Sequence, residues 1–221
     1  MDNNDSSSND QESRGTISIT KPFLLLVEGK DDLHFFIAFA NKLDLEDIQI
    51  EYFGGKDSLR NRLEQYVIHP DFHNVKSLGI VRDANSDPNP FGRVTSALKK
   101  SGLEPPKHPL EPSGEDPRIT IMIFPGEGQT GELEDLCLKS LSDDMAMVCV
   151  DRYIACLKDL NEKEGLPLPK SESKAKLHAF LSSREEPGKP IGLSVKKGYI
   201  PSNSSAFDEV KKFLMQVACR E

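Results

Sequence analysis

The sequence predicts an α/β protein with a mostly parallel four-stranded sheet and helices on both faces. Four short segments have the apolar or alternating pattern of strands, and each is followed by a segment whose apolar residues recur every three or four positions. This strand–helix alternation is typical of a parallel sheet covered by helices. Beyond about residue 144 only the helical pattern continues. We therefore expect an α/β core at 17–144 and a C-terminal helical extension at 145–221 that packs on or beside it.

The first half of the core contains two predicted strands and two predicted helices. Residues 23–27 form a continuous apolar run, which predicts a strand buried on both faces. Asp31 and Asp32 open a helical pattern, at the end of a helix where the dipole favours acidic side chains. Residues 48–53 alternate as a strand does, and 57–68 have the apolar spacing of a second helix.

The second half of the core repeats this order. Residues 77–81 predict the third strand and 119–124 the fourth. Between them, 90–100 has helical spacing, whereas 101–118 is rich in proline, glycine and glutamate and predicts a long excursion. A further helix is expected to begin near Glu132, after a glycine-rich turn.

The C-terminal extension has three segments with helical patterns, at 145–160, 172–181 and 206–219. Between the last two, 191–199 is compatible with an edge strand or an extended loop. The sequence leaves these two alternatives open.

The composition argues against several classes of protein. The 221 residues include 36 acidic and 28 basic side chains, for a formal net charge of −8. No apolar run approaches the ~20 residues that a membrane span needs, and the N-terminus lacks the pattern of a secretory signal. Four cysteines without a CxxC pair favour reduced thiols over a zinc site or disulfides. We therefore expect a cytoplasmic protein that has no membrane partner.

The charge is unevenly distributed along the chain. Residues 1–16 carry four acids and one base and have little to bury, which predicts a disordered tail. Residues 17–150 carry 22 acids and 14 bases, whereas 151–221 carry 10 acids and 13 bases. The acidity therefore belongs to the predicted core, and it argues against uniform binding to a phosphate backbone.

Acidic and amide side chains follow three of the predicted strands. These residues are Glu28, Asp31, Asp32, Asp83, Asn85, Asp87, Glu132 and Glu134. Ligands of open parallel sheets bind beyond the carboxyl ends of the strands, and clustered carboxylates raise one another's pKa unless a cation neutralises them. The pattern therefore predicts a site for a hard divalent ion, Mg²⁺ or Mn²⁺. Helix capping is the alternative for single residues such as Asp31, Asp57 or Asp83.

Three segments carry a family resemblance. Residues 26–32 (LVEGKDD) resemble the first motif of the Toprim domain, the metal-dependent module of topoisomerases, DnaG-type primases, RecR-like proteins and OLD-family nucleases. Residues 79–87 (GIVRDANSD) resemble its Asp-x-Asp motif, and 131–136 (GELEDL) resemble an acidic segment of OLD-like nucleases. The overall resemblance is to the stand-alone Toprim-like group DUF3226, over roughly residues 20–215. It implies a Toprim-like, Rossmann-like fold.

The resemblance also implies phosphodiester chemistry at two Mg²⁺ or Mn²⁺ ions. In this interpretation Asp83 holds one ion together with Asp87 or Asn85, and Glu28 with Asp32 holds or shares the second. Glu28 ligates metal or relays a proton. Asn85 stands where the family has the second Asp, which retains a carbonyl oxygen but removes one negative charge.

Glu132 and Glu134 are candidates to complete the second metal site. They are two residues apart, so that on a helix they would point ~200° apart and could not both face the edge of the sheet. We favour Glu134, because the Gly-Glu start predicts that Glu132 caps the helix.

Several further groups could meet a phosphate or stabilise developing charge. They are Gly29, Lys30, Lys56, Arg82, Lys196 and Lys197. Lys197 is also a candidate catalytic residue, because the resemblance implies a lysine late in the domain.

Three functions remain open at this point. The first is a Mg²⁺-dependent Toprim-fold nuclease or related phosphodiester-transfer protein acting on DNA or RNA. The second is a catalytically weak binding module that works with a separate ATPase, since the chain has no P-loop and has Asn85 in the second motif. The third is a small-molecule phosphohydrolase. The sequence also leaves open whether the protein forms a homodimer.

Overall fold

A computed structural model describes residues 17–55, 58–126 and 128–220. The strands are β1 Phe23–Val27, β2 Ile48–Tyr52, β3 Ser77–Asp83 and β4 Arg118–Phe124. The helices are α1 Lys30–Lys42, α2 Leu59–Val67, α3 Pro90–Lys100, α4 Leu133–Ser140, α5 Ala146–Glu164, α6 Glu172–Ser182, α7 Ile191–Lys196 and α8 Asp208–Val217. Short 3₁₀ turns lie at Pro70–Asn74 and Ser205–Phe207. The predicted tail at 1–16 lies outside the described residues.

The four strands form one sheet in the order β2-β1-β3-β4, and every neighbouring pair is parallel. Phe23 of β1 is in register with Ile48 and with Ser77, and Ser77 with Arg118. The strands thus begin at one edge and end at the other. The predicted α/β class is confirmed, and the carboxyl ends of β1 and β3 lie side by side at the centre of the sheet.

Both faces of the sheet are covered. Along β1, Leu24 and Leu26 belong to one buried cluster, and Leu25 and Val27 belong to another on the opposite face. Because successive side chains of a strand point to opposite faces, a strand buried on both sides must be apolar throughout. This explains the continuous apolar run of residues 23–27.

The face that carries α2 and α3 has a smaller core, built around Leu63, Tyr66, Val94 and Leu98. The other face carries α1 and α8 and has the larger core, in which Phe36 stacks on Phe124 with ring centroids 5.7 Å apart. The two clusters place the helices on opposite sides of the sheet.

The C-terminal helices share the larger core with the sheet. Phe207, just before α8, lies with its ring centroid 5.0 Å from that of Phe39 in α1. A Cβ atom on Gly79 of β3 would come within 2.6 Å of Val217 in α8. Helix α8 therefore lies directly on the sheet, and the lack of a side chain at Gly79 permits this close approach.

The segment 191–199 is neither of the two alternatives expected from the sequence. Residues Ile191–Lys196 form helix α7, which packs on α1. Ile191 and Val195 are both buried, four residues apart on one face of the helix, and a side chain at Gly192 would overlap the His34 carbonyl oxygen. The expectation of an edge strand or extended loop was wrong, because the segment forms a helix that buries one face against α1.

Two findings concern the classes of protein that composition argued against. Within the described part of the chain, no helix combines the length and apolarity that crossing a membrane requires. All four cysteines are free thiols, and Cys137 is buried.

Candidate acidic site at the carboxyl edge of the sheet

Five carboxylates from both central strand ends and two helix starts form what we call the acidic cluster. They are Glu28 after β1, Asp32 in the first turn of α1, Asp83 at the end of β3, and Glu132 and Glu134 at the start of α4. The charges of the other four all raise the pKa of Asp83. The structure therefore groups members of all three acidic segments around the end of β3.

Asp83 is central to the acidic cluster. Burial first, and then the neighbouring carboxylates, raise the pKa of Asp83 to about 9. Its Oδ1 accepts a hydrogen bond from the Leu133 backbone N–H at 3.2 Å, in the first turn of α4. Asp83 thus has a capping contact across 50 residues of sequence, but one such contact does not offset the burial of a charge among like charges.

Asp32 also combines capping with burial. Its Oδ2 accepts a hydrogen bond from the Gly29 backbone N–H at 2.8 Å, and only 6% of the residue is exposed. Burial raises the pKa of Asp32 to about 7, although the Gly29 hydrogen bond and the charge of Lys174 act in the opposite direction. This hydrogen bond makes Asp32 part of the cap of α1, a role that the sequence allowed for Asp31 instead. Capping does not account for the position of Asp32 beside Glu28 and Asp83.

Glu132 and Glu134 both lie close to the ammonium group of Lys174. Lys174 Nζ lies 3.0 Å from Glu132 Oε2 and 3.9 Å from Glu134 Oε1. Glu132 occupies the N-cap position with extended backbone (φ −143°, ψ 179°), as expected, so the helical angle between the two residues does not apply. The inference that they could not face the same place was therefore wrong. Burial raises the pKa of Glu134 to about 7 despite the charge of Lys174.

Lys174 is the residue that the sequence argument missed. It lies in the first turn of α6, and its charge acts on Asp32 and Asp83 as well as on the two glutamates. Two serines of the same turn support it, because the Ser171 hydroxyl donates to Glu132 and the Ser173 hydroxyl donates to Asp135. The pair Lys174 and Lys176 was visible in the sequence, but nothing local showed which one faces the acidic residues.

Arg82 connects the acidic cluster to the second motif. Its Nε lies 3.8 Å from Glu28 Oε2, and its Nη2 lies 2.9 Å from Asp87 Oδ2. Asp87 also forms an ion pair with Arg93 at 2.6 Å and accepts from the Asn89 N–H at 3.0 Å. The Asn89 N–H and the two arginines lower the pKa of Asp87. The Asp87 carboxylate is therefore held in place between two arginines.

Asn85 is exposed and has a left-handed backbone conformation, with φ of 49°. Its backbone N–H donates to the Gly131 carbonyl at 2.6 Å and its carbonyl accepts from the Gly131 N–H at 3.1 Å. This pairing ties the loop after β3 to the segment that precedes α4. Of the three predicted ligands in the second motif, Asp83 is the one that the structure groups with the acidic cluster. Metal binding by Asn85 and Asp87 stays a prediction.

The predicted phosphate-binding groups lie in several places. Gly29 is the N-cap of α1, and Lys30 lies over the Tyr52 ring at 5.7 Å. Lys56 lies outside the described residues. Lys196 ends α7, and Lys197 forms an ion pair with Glu186. The groups that perturb the Lys197 pKa are Glu186, Tyr199 and Glu185, none of which belongs to the acidic cluster.

The donor chemistry of the acidic cluster fits a hard divalent cation, because every side chain in it offers carboxylate oxygens. Burial is the largest cause of the raised pKa values of Asp32, Asp83 and Glu134, and the charge of Lys174 does not offset it at Asp32 or Glu134. Within the described ranges, however, no group of three His, Cys, Asp or Glu side chains could hold a metal ion as arranged here. A metal would require the carboxylates to move closer together.

The fold and this edge define an α/β protein with a parallel sheet and a largely buried acidic cluster at its carboxyl edge. The chain belongs to the family described as "Protein of unknown function (DUF3226)", which it matches over residues 22–219. It is similar in structure to a hypothetical protein, PH0156, from Pyrococcus horikoshii OT3, with a TM-score of 0.55 and 17% identity over 90% of this chain and 95% of that one. At this identity the likeness concerns the fold alone. No curated protein matches the sequence.

Proposed function

We propose that this protein is a Toprim-like, Mg²⁺-dependent phosphodiester-processing protein, most simply a nuclease acting on DNA or RNA. The observation that carries the proposal is the group of five carboxylates around the end of β3, three of which have strongly raised pKa values. Strong perturbation of several acids at one sheet edge is typical of functional sites. The resemblance of residues 26–32 to the first Toprim motif supports the same assignment.

Glu28, Asp32, Asp83 and Glu134 are the residues that would hold the metal. When bound, Mg²⁺ or Mn²⁺ would supply a Lewis acid and a way of activating water. Glu28 and Asp83 follow neighbouring central strands, so the rigid sheet fixes their spacing. Asp83 must release a proton before it can bind a cation, because its pKa is about 9. Lys174, 3.9 Å from Glu134, would balance part of the negative charge, and Arg82 lies beside Glu28, where it would meet a phosphate.

The test is cleavage of labelled DNA and RNA with Mg²⁺, with Mn²⁺ and with chelator. We expect cleavage that requires the metal and that is lost in Glu28→Gln and Asp83→Asn. Asp151→Asn is the matched control, because Asp151 forms a surface ion pair with Lys176 away from the acidic cluster. Activity on nucleotides but not on polymers would instead indicate a small-molecule phosphohydrolase. Cleavage that survives Glu28→Gln would show contamination and end the assignment.

A second candidate function is a binding module with weak or lost catalysis that works with a separate ATPase. The specific observation in its favour is that Asn85 is exposed and Asp87 binds two arginines, which leaves Asp83 as the carboxylate of the second motif in the acidic cluster. Calorimetry distinguishes the two functions. Binding of Mg²⁺ or Mn²⁺ that is abolished by Asp83→Asn supports the enzyme, whereas a folded protein that binds neither ion supports the module.

A further inference from the structure

A basic groove lies between α2 and α3, beside the acidic cluster. It encloses a cavity of about 410 Å³. Its charged lining residues are Arg60, Arg82, Arg93, Lys100 and Asp87. Four cations and one anion line the groove in a protein whose formal net charge is −8. We call this feature the α2–α3 groove.

Two of the cations are fixed in position. Asp87 binds both Arg82 and Arg93, and it is itself held by the Asn89 N–H at the start of α3. Arg82 is only 5% exposed, and its Nε has no hydrogen-bond partner within the described ranges. The Nε atom lies 3.8 Å from Glu28 Oε2, so it faces the acidic cluster, and Arg82 contributes to the groove through its positive charge.

The other cations extend the groove away from the sheet edge. Arg93 and Lys100 are seven residues apart on α3, so they lie on the same face of the helix and about 10 Å apart along its axis. A nucleic-acid strand that runs along α3 would therefore meet both side chains. Arg60, at the start of α2, lies on the opposite wall.

The groove leads to the acidic cluster. Arg82 belongs to both, since it lines the groove and lies 3.8 Å from Glu28. Among the residues that the structure describes, those that line the groove include no aromatic side chain. Stacking platforms for bases are therefore missing from its walls, and its chemistry suits phosphates rather than bases.

We propose that the α2–α3 groove binds the phosphodiester backbone of a nucleic-acid strand without regard to sequence and leads the strand to the acidic cluster. This rests on the proposed function and assigns its binding surface. Arg60 is paired with Glu64, and Arg82 and Arg93 with Asp87, so the groove gives an acidic protein a local basic surface on which a polyanion can bind. Asp87 is a positioning residue in this arrangement, since it orients Arg82 and Arg93.

The test measures the binding of a fluorescent oligonucleotide to the 221-residue protein by fluorescence anisotropy, in the presence of chelator and over a range of salt concentrations. The principal variant is Lys100→Glu, and Lys99→Glu is its matched control. Both lysines are exposed in the last turn of α3, but only Lys100 lines the groove. We expect Lys100→Glu to weaken binding about fivefold or more and to reduce the salt slope by about 1, with little change for Lys99→Glu. Arg93→Gln should weaken binding in the same way.

Other outcomes overturn the proposal. Equal effects of Lys100→Glu and Lys99→Glu, or no binding by the wild-type protein, would exclude the groove as the binding surface. Displacement of the oligonucleotide by inorganic phosphate or a mononucleotide at matched phosphate concentration would show a small-anion site. The nuclease proposal fails separately. If the groove binds the oligonucleotide but the protein shows no metal-dependent cleavage, the nuclease proposal is rejected and the binding proposal stands. If cleavage is lost in Glu28→Gln but unchanged in Lys100→Glu, the nuclease proposal stands and the groove is rejected as the binding surface.

Discussion

Replacing Lys174 tests whether the acidic cluster is held together by charge. Lys174 Nζ lies 3.0 Å from Glu132 and 3.9 Å from Glu134, and Lys174→Met removes this charge while keeping a long side chain. Removing one partner of a buried ion pair costs about 3–5 kcal/mol, because the other charge stays buried. The Lys174 side chain is 50% exposed, so solvent screening reduces our expectation to about 2 kcal/mol at high pH.

The sign of the pH dependence follows from the raised pKa values. The folded protein holds protons on Glu134 up to a pKa of about 7 and on Asp83 up to about 9, whereas unfolded carboxyls lose theirs near their model values of 4.5 and 3.8. Stability therefore falls as the pH rises from about 4 towards 9. Without Lys174 the carboxylates ionise at still greater cost. The loss in Lys174→Met should be largest at pH 9 and smaller at pH 5.

The assay is urea unfolding in chelator at both pH values. Lys176→Met is the control, because Lys176 lies on the same helix and forms ion pairs with Asp151 at 3.0 Å and Glu172 at 3.3 Å. The pKa of Glu172 is lowered, so its ion pair loses stability only below pH 4.5 and stays constant from pH 5 to 9. Mg²⁺ or Mn²⁺ should restore stability more in Lys174→Met than in wild type. Equal losses at pH 5 and pH 9 would refute the electrostatic reasoning and show that Lys174 acts by packing.

Three further predictions concern the acidic cluster and the core. Asp83→Asn should stabilise the metal-free protein by about 2 kcal/mol at pH 8 and by less at pH 5. The substitution removes a titratable group that is costly to ionise in the fold, and it keeps the acceptor for the Leu133 N–H. Urea unfolding that shows no gain in stability at pH 8 would contradict this. Gly79→Val should destabilise by about 3 kcal/mol or displace α8, because even a Cβ atom comes within 2.6 Å of Val217; unchanged thermal unfolding would disprove the close approach. Phe207→Ala should cost about 3–5 kcal/mol in a single transition, since its ring packs among those of α1; a separate early transition would show that the C-terminal helices fold on their own.

Local patterns predicted most of the fold. The continuous apolar run at 23–27 and the alternation at 48–53 predicted the bounds of β1 and β2 to within one residue. They did so because the pattern of a strand reflects which of its faces are covered. Helix α7 was missed because six residues are too short for a helical period to stand out, and its burial depends on α1. Helix α5 continues to Glu164, four residues beyond its predicted end, and stops where Gly165 adopts a left-handed conformation (φ 71°).

The acidic site was predicted in part. Parallel strands place their carboxyl ends at one edge, so Glu28 and Asp83 had to lie near each other once β1 and β3 were neighbours. Nothing local revealed that Asp87 would bind Arg82 and Arg93, because a loop after a strand can direct a side chain either way.

By itself, the sequence determined the strand and helix order and the collection of carboxylates at one edge of the sheet. Both follow from local periodicity and from the direction of parallel strands. Only the tertiary structure decided which cations meet those carboxylates. Lys174 reaches Glu132 across 42 residues because α6 packs on α4, and Arg82 lies between the acidic cluster and the α2–α3 groove because β3 is buried between neighbours. Such contacts depend on how elements pack through space, and periodicity carries no information about that.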